Sequence, residues 1–146
     1  MIIRRNTAKE CLAEVLPMME AHWKEIGYVD EPLDLDIDML NAVERMGGLR
    51  VFTLEDDRLV GYCAFMVSRT LLQRTVKEAS EIGLYVDPLY RKGTTAIRLL
   101  NYAERELSAE GVTKFVYHVP PSNQGFAAML EHRGFSKTDT VYERRQ

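Results

Sequence analysis

Apolar positions set out the elements. Cys11, Leu12, Val15, Leu16, Met19 and Trp23 recur at helical spacing on one side. Asn6 or Thr7 can cap that helix and Gly27 can stop it. Pro17 interrupts the pattern and predicts a kink or a split into two short helices. Residues 1–5 ahead of it read as a short strand. The stretch YVDEPLDLDID is acidic, carries Pro32 and reads as a loop before a second helix over 37–46 that ends at Gly47-Gly48. From Leu49 the pattern changes to β. LRVFTLE, the turn EDDR and LVGYCAFMVSR predict a hairpin over 49–69. RTLLQRTVKE reads as a loop or the frayed ends of two strands, and ASEIGLYVD as a strand ended by Asp87-Pro88.

In the last third, Ile97, Leu100, Ala103 and Leu107 repeat at helical spacing, with Gly111 as a stop. TKFVYHV predicts a strand, Pro120-Pro121-Ser122 opens a helix to about Arg133 with Gly134 as its stop, and FSKTDTVYER predicts a final strand. The order is β-α-α-β-β-β-α-β-α-β, an α/β (α+β) arrangement read as one domain over 1–146.

Composition narrows the classes. With 146 residues, 46% hydrophobic and 28% charged, the chain is ordinary for a globular protein and too apolar for a disordered one. No apolar run approaches a membrane span, and the first ten residues hold no signal core, so the expectation is a cytoplasmic protein with no membrane partner. The net charge of −3 argues against nucleic acid as a partner, since phosphate backbones need clustered Lys and Arg. Charge is uneven: residues 1–75 carry −4 and residues 76–146 carry +1. A polyanionic cofactor suits the second half and a cationic substrate the first. Cys11 and Cys63 sit in no CxxC or Cys/His cluster, which argues against a metal site and for buried free thiols.

The segment EIGLYVDPLYRKGTTAI carries the most chemistry. A strand ends at Pro88, a short basic loop with a glycine follows, and a helix begins near Thr94 or Thr95. First-turn amides of a helix lack intrahelical partners and carry the positive end of its dipole. With Arg91 and Lys92 beside them they form an anion site suited to a phosphate or pyrophosphate, or else a capped turn with two solvated cations. Neither GxGxxG nor GxxxxGK[ST] is present.

The segment resembles the pyrophosphate loop of the GNAT family, the Gcn5-related N-acetyltransferases, whose pattern is [Q/R]-x-x-G-x-[G/A] after a strand ending V-x-P. Val86-Asp87-Pro88 supplies the strand end, Arg91 the first motif position and Ala96 the last. Thr94 stands at the middle glycine position, with Gly93 one residue early. Near the C-terminus Asn123 precedes Gly134-Phe135, similar to a second family signature. The resemblance covers essentially the whole chain. It implies a mixed, mostly antiparallel sheet splayed between strands 4 and 5, with acetyl-CoA in the gap. It also implies that the main chain of Leu84, Tyr85 and Val86 pairs with the pantetheine. The amides of Lys92, Gly93, Thr94, Thr95 and Ala96 would then hold the pyrophosphate, Asn123 would lie near it, and the Val86 amide would polarise the thioester carbonyl. The implied reaction is acetyl transfer to a primary amine of a small molecule or peptide in a ternary complex. Homodimers are common in the family. The alternative is a CoA-binding or interaction protein with a degenerate site.

A base must take a proton from the acceptor ammonium. Glu81 is the candidate, ten positions before Arg91, where some family members place a catalytic Glu. Alternation puts Glu81, Gly83 and Tyr85 on one face, with Gly83 leaving space for a substrate. A solvated strand carboxylate fits the same pattern, and Glu78 is the reserve. The Tyr that many members use as acid is replaced by Leu130, leaving Tyr117, His118 and Tyr142 as alternatives without positional warrant. On the acceptor side, Trp23 and Tyr28 flank the acidic loop of Asp30, Glu31, Asp34, Asp36 and Asp38. This reads either as an acidic, aromatic groove for a cationic amine or as a soluble loop with capping Asp residues.

Overall fold

The structure is a computed structural model describing residues 1–146. Its centre is a five-stranded sheet in the order β1 (Ile2–Asn6), β2 (Leu49–Asp56), β3 (Arg58–Arg69), β4 (Lys77–Val86), β5 (Lys114–Val116). The first four strands pair antiparallel and β5 joins β4 in parallel. α1 (Ala8–Glu25) and α2 (Ile37–Arg45) cover one face. α3 (Thr95–Ala109) and α4 (Gln124–His132) cover the other.

Local chemistry starts and stops these helices. Thr7 and Glu10 form a capping box at the start of α1. Asp36 caps α2 by accepting from the Met39 amide at 2.9 Å. α1 buries Ala8, Cys11, Val15 and Met18 against the sheet. α3 buries Leu99, Leu100, Ala103 and Leu107 against Phe52, Phe65 and Val60. Each buried Val, Leu, Met or Phe among them contributes roughly 1.5–3 kcal/mol on burial.

Three expectations are corrected. α1 runs unbroken through Pro17. Pro17 and Ala13, whose carbonyl loses its amide partner, are both exposed, so water replaces the bond while the buried stripe holds the helix. The predicted final strand does not form: residues 135–146 have no regular structure, and Val141 and Tyr142 are 79% and 91% exposed. β5 spans three residues only, so it offers a final strand little edge to pair with.

The third correction concerns facing. The β3–β4 register passes from Phe65↔Glu81 to Ala64↔Gly83, a bulge that leaves Ile82 unpaired. Directly opposed residues share a face. Phe65 belongs to the core under α3, whereas Ala64 and Tyr62 belong to the core under α1. Glu81 therefore lies on the opposite face from Gly83 and Tyr85, because the bulge inserts one residue into the alternation.

Candidate active site

β4 and β5 part after three residue pairs, the last being Ser80↔Val116. The rest of β4 has β3 on one side and no strand on the other. The Asp87 amide donates to the Val60 carbonyl at 2.7 Å, so that residue points at β3. By alternation of an antiparallel ladder, the amides of Leu84 and Val86 point into the splay.

The splay ends at the loop before α3. A 3₁₀ turn over Pro88–Tyr90 follows β4, with Asp87 accepting from the Leu89 amide at 2.9 Å. Arg58 hydrogen-bonds Asp87 and holds its carboxyl below the usual range. Gly93 then adopts φ +61, a left-handed turn suited to glycine. The amides of Lys92, Gly93, Thr94, Thr95, Ala96 and Ile97 donate to no group of the protein. Thr94 makes no side-chain cap bond, and the Thr95 hydroxyl donates to the Lys92 carbonyl at 3.0 Å. This is a run of donors at the positive end of a fifteen-residue helix. It fits a diphosphate through backbone groups.

The basic pair divides. Lys92 makes no ion pair. Arg91 is engaged elsewhere: its Nη2 donates to both carboxylate oxygens of Glu25 at 2.8 and 3.0 Å, its Nε donates to the Val86 carbonyl at 2.6 Å, and its guanidinium lies 5.1 Å from the Tyr85 ring centroid. Arg91 thus ties the end of α1 to the end of β4. Asn123 caps α4 by accepting from the Phe126 amide at 3.1 Å, which leaves its amide NH₂ available.

Glu81 sits at the fork where β5 leaves β4. It is 6% exposed, and burial raises its carboxyl from 4.5 to about 7. His118, just beyond β5, is its neighbour. The His118 amide faces the Glu81 carboxylate at 3.5 Å, and Nδ1 lies 3.0 Å from the Glu81 carbonyl oxygen. This contact depends on the parallel register of β4 and β5, which no local pattern in the sequence reveals. Gly83 leaves no open space: a Cβ there would meet the Tyr62 ring at 3.1 Å. Glu78 pairs with Lys114 at 3.3 Å.

The remaining acid candidates are placed as follows. Leu130 is buried in α4. The Tyr117 hydroxyl donates to Glu104 at 2.6 Å, and burial pushes its pKa up. Tyr142 is exposed in the unstructured C-terminal segment.

On the acceptor side, Trp23 and Tyr28 stack at 4.2 Å and line an open groove of about 370 Å³ with Glu20, Asp30 and Glu31. The Trp23 indole N–H donates to the Glu31 carbonyl at 2.7 Å, and Arg145 pairs with Glu31 and lies 5.4 Å from the Tyr28 ring centroid. Asp34 is exposed and lies outside this groove.

Comparison with known proteins bears on the fold. Residues 15–135 match the model of the Acetyltransferase (GNAT) family. No curated protein matches the chain in sequence. Among solved structures, the chain is similar to a ribosomal-protein-alanine N-acetyltransferase from Brucella melitensis biovar Abortus 2308, at 14% identity and TM-score 0.73 over 100% of both chains. It is similar to the aminoglycoside acetyltransferase meta-AAC0020 from an uncultured soil metagenomic sample, in complex with sisomicin, at 13% identity and TM-score 0.77 over 99% of this chain and 94% of that one. It is also similar to AAC(6')-Iy in complex with the bisubstrate analogue CoA-S-monomethyl-acetylneamine, at 18% identity and TM-score 0.76 over 99% and 97%.

Proposed function

The chain belongs to the acetyltransferase (GNAT) family, and on that premise we propose that it moves an acetyl group from acetyl-CoA to a primary amine in a ternary complex. The observation that carries this reading is Glu81: a buried carboxyl raised to about 7, at the fork of the splay, on the strand that leads to the unpaired amides before α3. Similar folds are named for acting on a ribosomal protein alanine and on aminoglycosides, which supports an amine acceptor.

Acetyl-CoA supplies an activated acyl group with a thiolate leaving group. The amides of residues 92–97 bind its diphosphate, with Lys92 adding charge. The outward amides of Leu84 and Val86 are the donors available to the pantetheine and to the thioester oxygen. An alkyl ammonium of pKa near ~10 must lose a proton before it attacks. Glu81, ionised above about pH 7, takes that proton directly or through one water. The amine nitrogen would then bond to the acyl carbon as the carbon–sulfur bond breaks, and the second proton it sheds on becoming an amide would pass to the departing thiolate or to water. A thiolate of pKa about 8.5 leaves without a protein acid, which accommodates the buried Leu130. The test is thiol release from acetyl-CoA with a panel of amines, beside a thermal shift with CoA. Stabilisation by CoA with turnover on some amine is expected. Tight CoA binding with no turnover on any acceptor would return the alternative of a degenerate CoA-binding protein.

A further inference from the structure

A cavity of about 70 Å³ lies between α1, α2 and the sheet, and none of the groups used above explains it. Twelve of its thirteen lining residues are hydrophobic, the thirteenth is Gly83, and none is charged. Cys11 and Val15 of α1 roof it, and Val51 and Ala64 form part of its floor. It ends at Ile82 and Gly83, the two residues of the β4 bulge. Ile82, 53% exposed, is the most exposed lining residue, and Leu12, Met19, Leu35 and Leu40 are partly exposed, so the cavity opens at the Ile82 end and along the α1–α2 side. The Ile82 end lies beside the splay, one residue along β4 from Glu81, whose side chain is on the other face of the sheet.

One polar group belongs to the wall. Tyr62 is 4% exposed, and its hydroxyl makes no hydrogen bond to the protein. Buried phenols ordinarily find a partner. The hydroxyl lies at the Gly83 end, 3.2 Å from where a Cβ of that residue would stand.

We infer that this cavity receives the side group of the acceptor amine, that the group is a short branched aliphatic one, and that the Tyr62 hydroxyl bonds the polar atom next to it. The inference rests on the amine-acetylation reading and names the acceptor class for it. The volume is roughly half the ~150 Å³ that holds a benzene, which suits about three or four carbons. A second ammonium placed here would be desolvated among apolar side chains, with no carboxylate in the lining. A polyamine or aminoglycoside is therefore a poor fit.

The direct test is methyl NMR of the full chain with CoA present, titrated with isoamylamine, methylamine and spermidine. Isoamylamine should shift the methyls of Val15, Ala64 and Ile82, methylamine should do so only weakly, and spermidine should not. Absent shifts, or shifts confined to the surroundings of Trp23 and Tyr28, would overturn the proposal. Leu12→Phe narrows the cavity and should weaken isoamylamine binding by about 10-fold or more, the scale of burying a few methylenes. Tyr62→Phe keeps the ring and should weaken it about 5-fold, the range of one hydrogen bond. The CoA thermal shift checks that both variants fold, and wild-type affinity in both would overturn the proposal. A leucine-initiated tripeptide that shifts the same methyls more strongly than isoamylamine supports the aliphatic pocket and assigns its source to a polypeptide N-terminus. Thiol release separates the two readings. Methyl shifts without acetyl transfer would sink the acetylation reading and keep the pocket. Equal transfer to all amines without shifts would do the reverse.

Discussion

The loop before α3 and the connection between α1 and α2 are both charged segments, and they are built differently. The loop offers six backbone amides that nothing else in the protein uses. In the connection several polar groups already have partners, the Trp23 indole and Arg145 held by Glu31 and Asp36 capping α2, while Asp30 and Asp34 stay unpaired. The difference is one of satisfaction. A group that has met its partner on folding has little left for a ligand, and exposed acidic character alone does not distinguish the two cases. The same distinction runs through the basic pair, where Arg91 is taken by Glu25 and Lys92 is free.

The sharpest way to break the contrast is at the fork itself. Glu81→Gln should lower kcat about 10²- to 10⁴-fold, the usual worth of a general base. The loss should be largest near pH 7–8 and shrink toward pH 10, where solvent deprotonates the amine. A pH-independent loss of under threefold would remove Glu81 from the reaction.

Stability should report on the same group with a definite sign. The folded carboxyl titrates at about 7 and the unfolded one near 4.5, so the native state binds more protons between these values. Stability therefore falls as pH rises through this window, by up to about 3 kcal/mol from this group. Denaturation of Glu81→Gln from pH 4.5 to 7.5 should show the decline removed. An equal slope in both proteins would contradict the buried, raised carboxyl.

At the loop, Thr94→Asp should move two measurements in opposite directions. A carboxylate at this N-cap satisfies first-turn amides and should add about 0.5–1 kcal/mol to stability. The same carboxylate should repel the diphosphate and weaken CoA about 10-fold, from the loss of one charge-assisted contact. CoA affinity at wild-type level would mean that the diphosphate does not use these amides.

The connection should respond in the other manner. Trp23→Ala should cost about 1–2 kcal/mol through the lost stack and indole hydrogen bond, while kcat and the CoA KM stay within twofold. Asp36→Ala should cost about 1 kcal/mol as a lost cap, again with kinetics unchanged. A large kinetic effect of either would make the connection part of the working site.

Much of the fold was legible because short-range rules decide it. The β2–β3 hairpin, the end of α2 at Gly47-Gly48 and the end of α3 before Gly111 follow from pattern and turn chemistry alone. The sheet with its splay, and the family, followed from motifs in their context. What was missed depends on registers between distant segments. The bulge at Ile82 moves Glu81 to the other face, and it exists only relative to β3. The space over Gly83 is filled by Tyr62, which stands across the ladder from Tyr85. Phe135 contributes a ring packed 5.2 Å from Tyr117, where a strand was expected. The alternation of residues 135–144 could not show that β5 would be too short to receive them. The unpaired amides of the loop were anticipated, since helix starts always leave them. The pairing of Arg91 with Glu25 was not, because it joins residues 66 positions apart.

The order of the strands across the sheet is also their order along the chain. β2, β3 and β4 follow one another through two short connections, so they can zip together as a local meander with little loop entropy to overcome. Glu81 lies in the last strand of that meander. The helix-start amides and His118 arrive only with the final third of the chain. During synthesis the sheet that carries the base can therefore assemble before the groups that give the base a purpose. Amide protons of β3 should be the slowest to exchange, and those around the splay should exchange by smaller openings.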